Sequence, residues 1–541
     1  MVSESRMPHC LSPRLEAPQS PKASALRLLC LITMILALNP VLGSEKPQPV
    51  SPPAKATQTE PECRMEPGPN PGPKPSNPTS KTEDPDCLSK SHRTIKNPDE
   101  REDGPESEYG ALAGNPAAVN LFNGTGKLGE FLGIKPETGV QLGGLWISNT
   151  ALILGGQNQG DATYNNLAIA DLQVDLETFM GVDGASFAAT FLQFDGARTN
   201  SREGVAVGFD GITESGPLNR SELYQLWWRQ KFFDDTLIFR IGKSIPYVDF
   251  GNVIKALPID REHSPPKVPA VTALIFAPIF VNPTMLGVMP GYYNSAWGAT
   301  ATYVPNDYYA SLGFFDGSLA RGRQTGIFAG PSFNAYYFSI GEIGKVWGGN
   351  YPGKIAFGGW GQSGNFCEAL SAHQDCQANS TEQSGIQGFY ALATNRLLSV
   401  DWAGRPGAFV GYLQYGINNA KTLMANQFVG GGVSGFGVIP ERDRDSFGFG
   451  FGLTYLNTLA METQEDHRTR LYPNHTRTNE LVTQMYYQAH LFGDVYLQPV
   501  LSYVPRPALS YVPLAPLSSS ANASRTYPAS TSAVIELIAL F

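Results

Sequence analysis

The chain has 541 residues, of which 16% are charged, and a formal net charge of -9. That balance, with no basic run able to grip a phosphate backbone, excludes a nucleic-acid partner. Mean hydropathy is mildly polar at -0.18 with 42% apolar residues, which argues against helical membrane spans. Soluble domains carry roughly a quarter charged residues. A low charge content with 57 glycines and 11% aromatics suits a membrane β-barrel, whose apolar residues are diluted by lumen-facing ones.

The first segment reads as an export signal over 1–43. Arg6, Arg14, Lys22 and Arg27 precede the apolar run LLCLITMILAL (28–38), and Val41 and Gly43 sit before a plausible cut at Ser44. The run is too short to span a bilayer and fits a signal peptide. Cleavage removes Cys10 and Cys30 and leaves Cys63, Cys87, Cys367 and Cys376. An even number in an exported chain suggests two local disulfides, 63–87 and 367–376, although four cysteines allow three connectivities. No CxxC spacing supports a zinc site.

Residues 44–108 form a disordered Pro-rich spacer. EPGPNPGPKPSNP favours extended polyproline II and KNPDEREDGPESE is acidic and polar; neither can build a core. The folded part, 109–541, is an all-β barrel domain by pattern. Its most apolar stretch, 271–293, is broken by Pro278, Pro283 and Pro290, so it is a poor membrane helix.

What recurs is period-2 alternation. In ELVTQMYYQAHLF (480–492), Leu481, Thr483, Met485, Tyr487, Ala489 and Leu491 share one face; Glu480, Val482, Gln484, Tyr486, Gln488 and His490 share the other. In 446–457, Phe447, Phe449, Phe451, Leu453 and Tyr455 oppose Gly448, Gly450 and Gly452. Such segments occur at 140–155, 162–176, 184–195, 220–232, 236–242, 296–304, 308–315, 332–343, 352–361, 386–397, 407–416, 422–437, 446–457, 480–491, 494–504 and 532–541. Sixteen strands, an even number, predict a 16-stranded antiparallel transmembrane β-barrel. A soluble sandwich would alternate too. Against it stand aromatic pairs near segment ends (Trp227 and Trp228, Tyr292 and Tyr293, Tyr308 and Tyr309, Tyr336 and Tyr337, Tyr486 and Tyr487), as interfacial girdles require. The strand ending at Phe541 argues the same way.

The stretch FRIGKSIPYVDFG (239–251), the strand pair YQLWWRQKFFDDTLIFRIGK before it, the Pro-rich loop and hairpin over 276–318, and YLQPVLSYVPRP (496–507) occur in one order. Together they resemble the carbohydrate-selective porin family, the OprB-like outer-membrane porins, over about 140–541. The resemblance implies a 16-stranded barrel in the outer membrane of Gram-negative type, contact with outer-membrane lipid, passive diffusion of small carbohydrate solutes, and often a homotrimer. By likeness to outer-membrane proteins, the terminal aromatic serves as an insertion signal. The spacer has no counterpart in that resemblance and suggests contact with the cell wall.

Asp234 and Asp235 mark the turn of the hairpin 220–242, so paired positions sum to about 469 and Arg229 falls opposite Arg240. Trp227, Gln225 and Lys231 share their face; Tyr224, Leu226, Trp228 and Phe232 take the lipid side. Two opposed arginines repel, and Asp171, Asp175 and Glu177 share the inward register as counter-charges. A neutral sugar needs donor forks, acceptors and an apolar plate. The expected solute track is therefore Arg229, Arg240, Lys243, Asp171 and Asp175, with Trp227 stacking; the same residues could equally brace the wall as ion pairs. The long connection 244–295 is expected to fold inward as a constriction loop bearing Asp249, Lys255, Asp260, Arg261, Glu262 and His263, with an outside cap as the alternative.

Neither His263 beside Ser264 nor His490 near Tyr486 makes a hydrolytic triad by spacing, so the chain is not expected to be an enzyme. His467 and His475 sit in a polar loop, and no metal or cofactor is expected. Mixed acids and bases favour neutral solutes; a general or anion-selective porin, or a wall-tethered structural barrel, are the rival readings.

Overall fold

Period-2 alternation, repeated often enough, leaves the chain no way to hide its edges except closure. In the computed structural model the strands are β1 (Val140–Gly155), β2 (Ala162–Asp175), β3 (Ala185–Asp195), β4 (Asn219–Phe232), β5 (Leu237–Ser244), β6 (Ala296–Tyr303), β7 (Tyr308–Asp316) and β8 (Tyr337–Trp347). They continue as β9 (Gly353–Cys367), β10 (Glu382–Asp401), β11 (Pro406–Asn418), β12 (Ala425–Phe436), β13 (Ser446–Leu456), β14 (Asn479–Phe492), β15 (Val495–Val504) and β18 (Ser530–Leu540). These form one closed antiparallel barrel in which β18 seals against β1. A two-stranded ribbon, β16 (Ser510–Tyr511) with β17 (Arg525–Thr526), stands apart. Short helices α1 (Lys127–Phe131), α2 (Leu176–Met180) and α3 (Pro246–Asp249) lie outside the strands.

The structure describes residues 124–541 apart from 198, 200–202, 211–218, 234, 252–281, 286–287, 291–294, 306, 318–330, 332, 334–335, 348–350, 352, 368–381, 402–405, 443, 458–477, 509 and 512–524. The export signal, the spacer, Cys63, Cys87, Cys376, His467 and His475 lie outside the described residues, and the side chain of Cys367 is not described either. Among the described residues no helix is long and apolar enough to cross a membrane.

The closing strand shows why the pattern works. Val534, Glu536 and Ile538 are buried inside while Ile535 is exposed outside, and Ala151, Asn149 and Ile147 of β1 pair with those three inner residues. Beyond the strand, Phe541 N donates to Gly144 O at 2.9 Å and Gly144 N returns the bond at 2.8 Å. Thr125 N, just ahead of α1, also donates to the Phe541 carbonyl at 3.2 Å. The entering chain thus crosses the β1–β18 seam.

Inner glycines make room for inner tyrosines. A Cβ on Gly448 would lie 2.5 Å from the Tyr486 ring, and one on Gly450 would lie 2.6 Å from the Tyr412 hydroxyl. The phenylalanines of β13 therefore face outward opposite a glycine face that seats two large side chains. Pro499 also finds a place: it pairs with Ile535 of β18, while the β14 ladder lapses between Tyr486↔Val500 and Ala489↔Leu497. No backbone N–H is needed there, and Gln488 Nε2 bridges to Gln498 Oε1 at 3.0 Å instead.

Several boundaries differ from the pattern. β8 runs Tyr337–Trp347 rather than 332–343, and β10 reaches 20 residues from Glu382 to Asp401, with register shifts near Gly385 and Leu397 that the alternation hides. The segment expected over 422–437 starts later, at Ala425. Asn418 claims the turn before it, accepting Ala420 N at 3.0 Å and donating to Ala425 O at 2.8 Å. Three of the described aromatic doublets place one residue outward. Trp228, Tyr308 and Tyr337 are exposed, but their neighbours Trp227 and Tyr309 turn inward and are buried, as consecutive strand residues must. Tyr292 and Tyr293 lie outside the described residues.

Candidate functional site

The β4–β5 hairpin closes as its sequence dictates. Lys231 ion-pairs with Asp235 across the turn, and Arg229 pairs directly with Arg240. Both guanidiniums face the interior, 3% and 4% exposed. Their repulsion is answered from outside the hairpin. Asp249 of α3, itself fully buried, ion-pairs with Arg240. Arg229 Nε donates to Ser186 Oγ on β3 at 3.1 Å.

Trp227 lies near both arginines, whose guanidinium carbons sit 5.9 Å and 5.8 Å from its ring centre. It is 2% exposed and packs among Ala188, Tyr224 and Ile245. The buried ring supports the two cationic groups beside it by cation–π contact. Tyr224 departs from its expected face. The β3–β4 register runs Thr190↔Gln225 and then Phe191↔Leu223, so Tyr224 is the extra residue of a bulge. The bulge resets the alternation and turns Tyr224 from the lipid side to the interior beside Trp227. Lys243 is buried at the end of β5 and donates from Nζ to Leu223 O at 2.5 Å. Gly242 before it has φ +134°, and a Cβ there would meet Leu226 O at 2.2 Å.

The expected acids part company. Asp171 is buried and accepts Thr190 Oγ1 at 3.1 Å. Asp175 instead caps α2, accepting Glu177 N and Thr178 Oγ1 at 3.1 Å each. Glu177 accepts Gly184 N at 3.1 Å. Asp175 and Glu177 thus shape the β2–β3 turn, and Asp175 lies in register with Ser186, which in turn pairs with Arg229. The sequence carried the signal: Asp175 precedes a short apolar segment closed by Gly181 at φ 74°, an N-cap and C-cap pattern.

Both described limbs of the 244–295 connection enter the barrel. On the first, Phe250 is buried against Gly313, where a Cβ would lie 2.8 Å from its ring, and Gly251 N donates to Glu342 Oε2 of β8 at 2.7 Å. On the second, Asn418 of β11 donates to Thr284 O at 2.7 Å, and Met285 and Val288 join the interior cluster with Phe315, Trp360 and Tyr390. Met289 packs against that cluster and against the one holding Trp227. The described limbs of the connection fold inward. Lys255, Asp260, Arg261, Glu262 and His263 lie outside the described residues.

A second inward fold escaped the sequence. In the connection from β3 to β4, the stretch 203–210 lies inside the barrel: Val205 and Phe209 pack with Ile153, Phe428, Val482 and Val504. Glu480 of β14 accepts three backbone N–H groups, from Ala206 at 2.9 Å, Val207 at 3.0 Å and Ala508 at 2.9 Å. Asn149 Nδ2 donates to both Asp210 Oδ1 and Glu536 Oε1 at 3.1 Å. The alternating Glu480, Gln484, Gln488 face was the available signal, since only a polar interior or a folded-in segment needs it.

Among the described residues, the interior thus combines a paired-arginine wall with stretches of two connections folded against it. The sequence model of the carbohydrate-selective porin, OprB family, matches residues 159–524. The chain belongs to this family. Among solved structures, this porin resembles the high-pH structure of Pseudomonas putida OprB with a TM-score of 0.61 and 16% identity, over 77% of this chain and 96% of that one. The low-pH structure of the same protein matches with a TM-score of 0.42 and 14% identity, over 78% and 100%. No curated protein matches the chain. Family and fold place this porin in the outer membrane, with its short-turn end toward the periplasm.

Proposed function

We propose that this outer-membrane porin passes small neutral sugars along the wall formed by Arg229, Arg240 and Lys243. The observation that carries this reading is the Arg229–Arg240 pair, inward-facing, within cation–π reach of Trp227 and with Asp249 ion-paired to Arg240. Guanidiniums offer donors in fixed geometry to sugar hydroxyls, and a buried carboxylate beside them offers acceptors. The carboxylates of Asp249 and Asp171 temper this positive wall and disfavour trapping of anions. Binding must stay weak, because a tight site would hold its cargo. Asp171 with Thr190 extends the polar wall on β2–β3.

In the same reading the barrel conducts and does no chemistry on its solute, residues 1–43 direct export, and the spacer 44–108 reaches from the periplasmic end toward the cell wall. The path of the entering chain across the β1–β18 seam at that end supports the last point. Homotrimers are a further expectation, checked by the size of the unheated protein in detergent. Deleting 46–106 should abolish pulldown with cell-wall material and leave swelling rates unchanged.

Arg240→Ala tests the track. The variant should retain the folded, heat-modifiable barrel and lose most of its sugar-dependent liposome swelling, about tenfold, as expected when a charged hydrogen-bond donor worth roughly 1.5 kcal/mol or more is removed. Loss of the folded barrel in step with swelling would assign the arginine to bracing instead.

A further inference from the structure

We propose that Glu342 sets the preference for neutral solutes over anions by fixing the loop-borne Asp249 against Arg240. The inference rests on reading the arginine pair as the solute track. Among the described residues, Asp249 is the carboxylate that ion-pairs with Arg240. It does not belong to the wall. It ends α3, a four-residue helix that opens on Pro246 and closes with one hydrogen bond, Phe250 N to Pro246 O at 3.0 Å. Such a turn has little rigidity of its own.

The chain just beyond α3 fixes the position of Asp249. Two residues on, Gly251 takes φ +71°, a conformation glycine adopts without strain, and gives its N–H to Glu342 Oε2 at 2.7 Å. Glu342 is buried and cannot swing. Tyr309 OH donates to its Oε1 and Tyr390 OH to its Oε2, the latter at 2.6 Å. Each phenol crosses a glycine: a Cβ on Gly344 would lie 2.4 Å from Tyr309, and one on Gly358 would lie 2.1 Å from Tyr390. Two flat tyrosines converging on one carboxylate leave that carboxylate a single direction, toward the loop.

If the link breaks, the arm bearing Asp249 loses its anchor on β8, and Arg240 loses its counter-charge. Arg229 and Lys243 are neighbours of the same sign. An uncompensated positive wall inside a narrow, low-dielectric passage concentrates anions. Glu342 is therefore a positioning residue: it acts on the solute through Gly251 and Asp249 rather than by touching it.

The test is the reversal potential of purified full-length protein in planar bilayers under a KCl gradient. Asp249→Asn should raise the chloride-to-potassium permeability ratio roughly tenfold, and Glu342→Ala should match it. The double variant should shift no further than either single one. Gly251→Ala leaves both carboxylates in place and should shift the ratio in the same direction, and it decides alone if Glu342→Ala forms no barrel. Additive shifts in the double variant would overturn the proposal, because Glu342, or the buried Lys354 of β9 that lies within its electrostatic reach, would then act as a separate lumen charge. An unchanged ratio in Gly251→Ala would overturn it too. Sugar swelling by the wild type is measured in parallel: its absence defeats the track reading and leaves the reversal potentials to judge the Glu342–Asp249 linkage by themselves.

Discussion

At Asp494, in the two-residue turn between β14 and β15, one carboxylate holds two cations from distant parts of the chain. Lys127 of α1 ion-pairs with Oδ2, and Arg444 Nη2 donates to Oδ1 at 3.0 Å. Burial works to raise the acid's pKa, but the hydrogen bonds and charges of Lys127 and Arg444 outweigh it and hold the group below the usual carboxylate range. A depressed pKa stabilises the folded state above the unfolded value, near 4, and that contribution is lost as pH falls through the folded value. Barrel stability should therefore decline below about pH 4, and Asp494→Asn should flatten that decline while lowering stability at neutral pH. Urea unfolding of refolded protein at pH 3 and pH 7 measures both. Other single residues show where sequence reading succeeds. Arg229 opposite Arg240 needed only a turn position and period-2 counting. Asp175 is both the last residue of β2 and the cap of α2, and the spacing to Gly181 carries the second role. Tyr224 was out of reach, because a bulge adds a residue without marking its composition.

At the scale of elements, described stretches of two connections fold into the barrel, and only one was foreseen. Length and proline content flagged 244–295; the shorter 203–210 stretch gave no such cue, and its apolar Val205 and Phe209 make sense only against the interior wall they meet. Glu480 anchors that stretch together with Ala508 of the last long connection. Hydrogen bonds to a charged group are worth roughly 1.5–3 kcal/mol, so Glu480→Ala should release 203–210, raise single-channel conductance and speed proteolysis within it by tenfold or more, with the heat-modifiable barrel retained. Unchanged conductance and proteolysis would show that the apolar contacts hold the segment unaided. The glycine face of β13 makes the opposite prediction. Gly450→Val would force a side chain into the Tyr412 hydroxyl and should cost about 1–3 kcal/mol by overpacking, read as a lower urea midpoint with no change in ion selectivity.

For the whole molecule, strand number, antiparallel order and closure through the final strand were legible, because each rests on alternation and on the need to leave no edge. The inward and outward faces of β13, β14 and β18 match their sequences residue by residue. What was not legible depends on contacts between parts distant in sequence: Asp249 reaching Arg240, Glu342 gathering Gly251 and two tyrosines, Asp210 meeting Asn149. Local pattern places residues on a wall, but it does not say which loop will come to lie against them. The central claim is that this barrel is a diffusion path for neutral sugars, and liposome swelling with purified, refolded protein tests it most directly. A panel of mono- and disaccharides should give swelling above that of protein-free liposomes, fastest for the smallest sugars and strongly reduced by Arg240→Ala. Swelling no faster than protein-free liposomes for every sugar in the panel would contradict it.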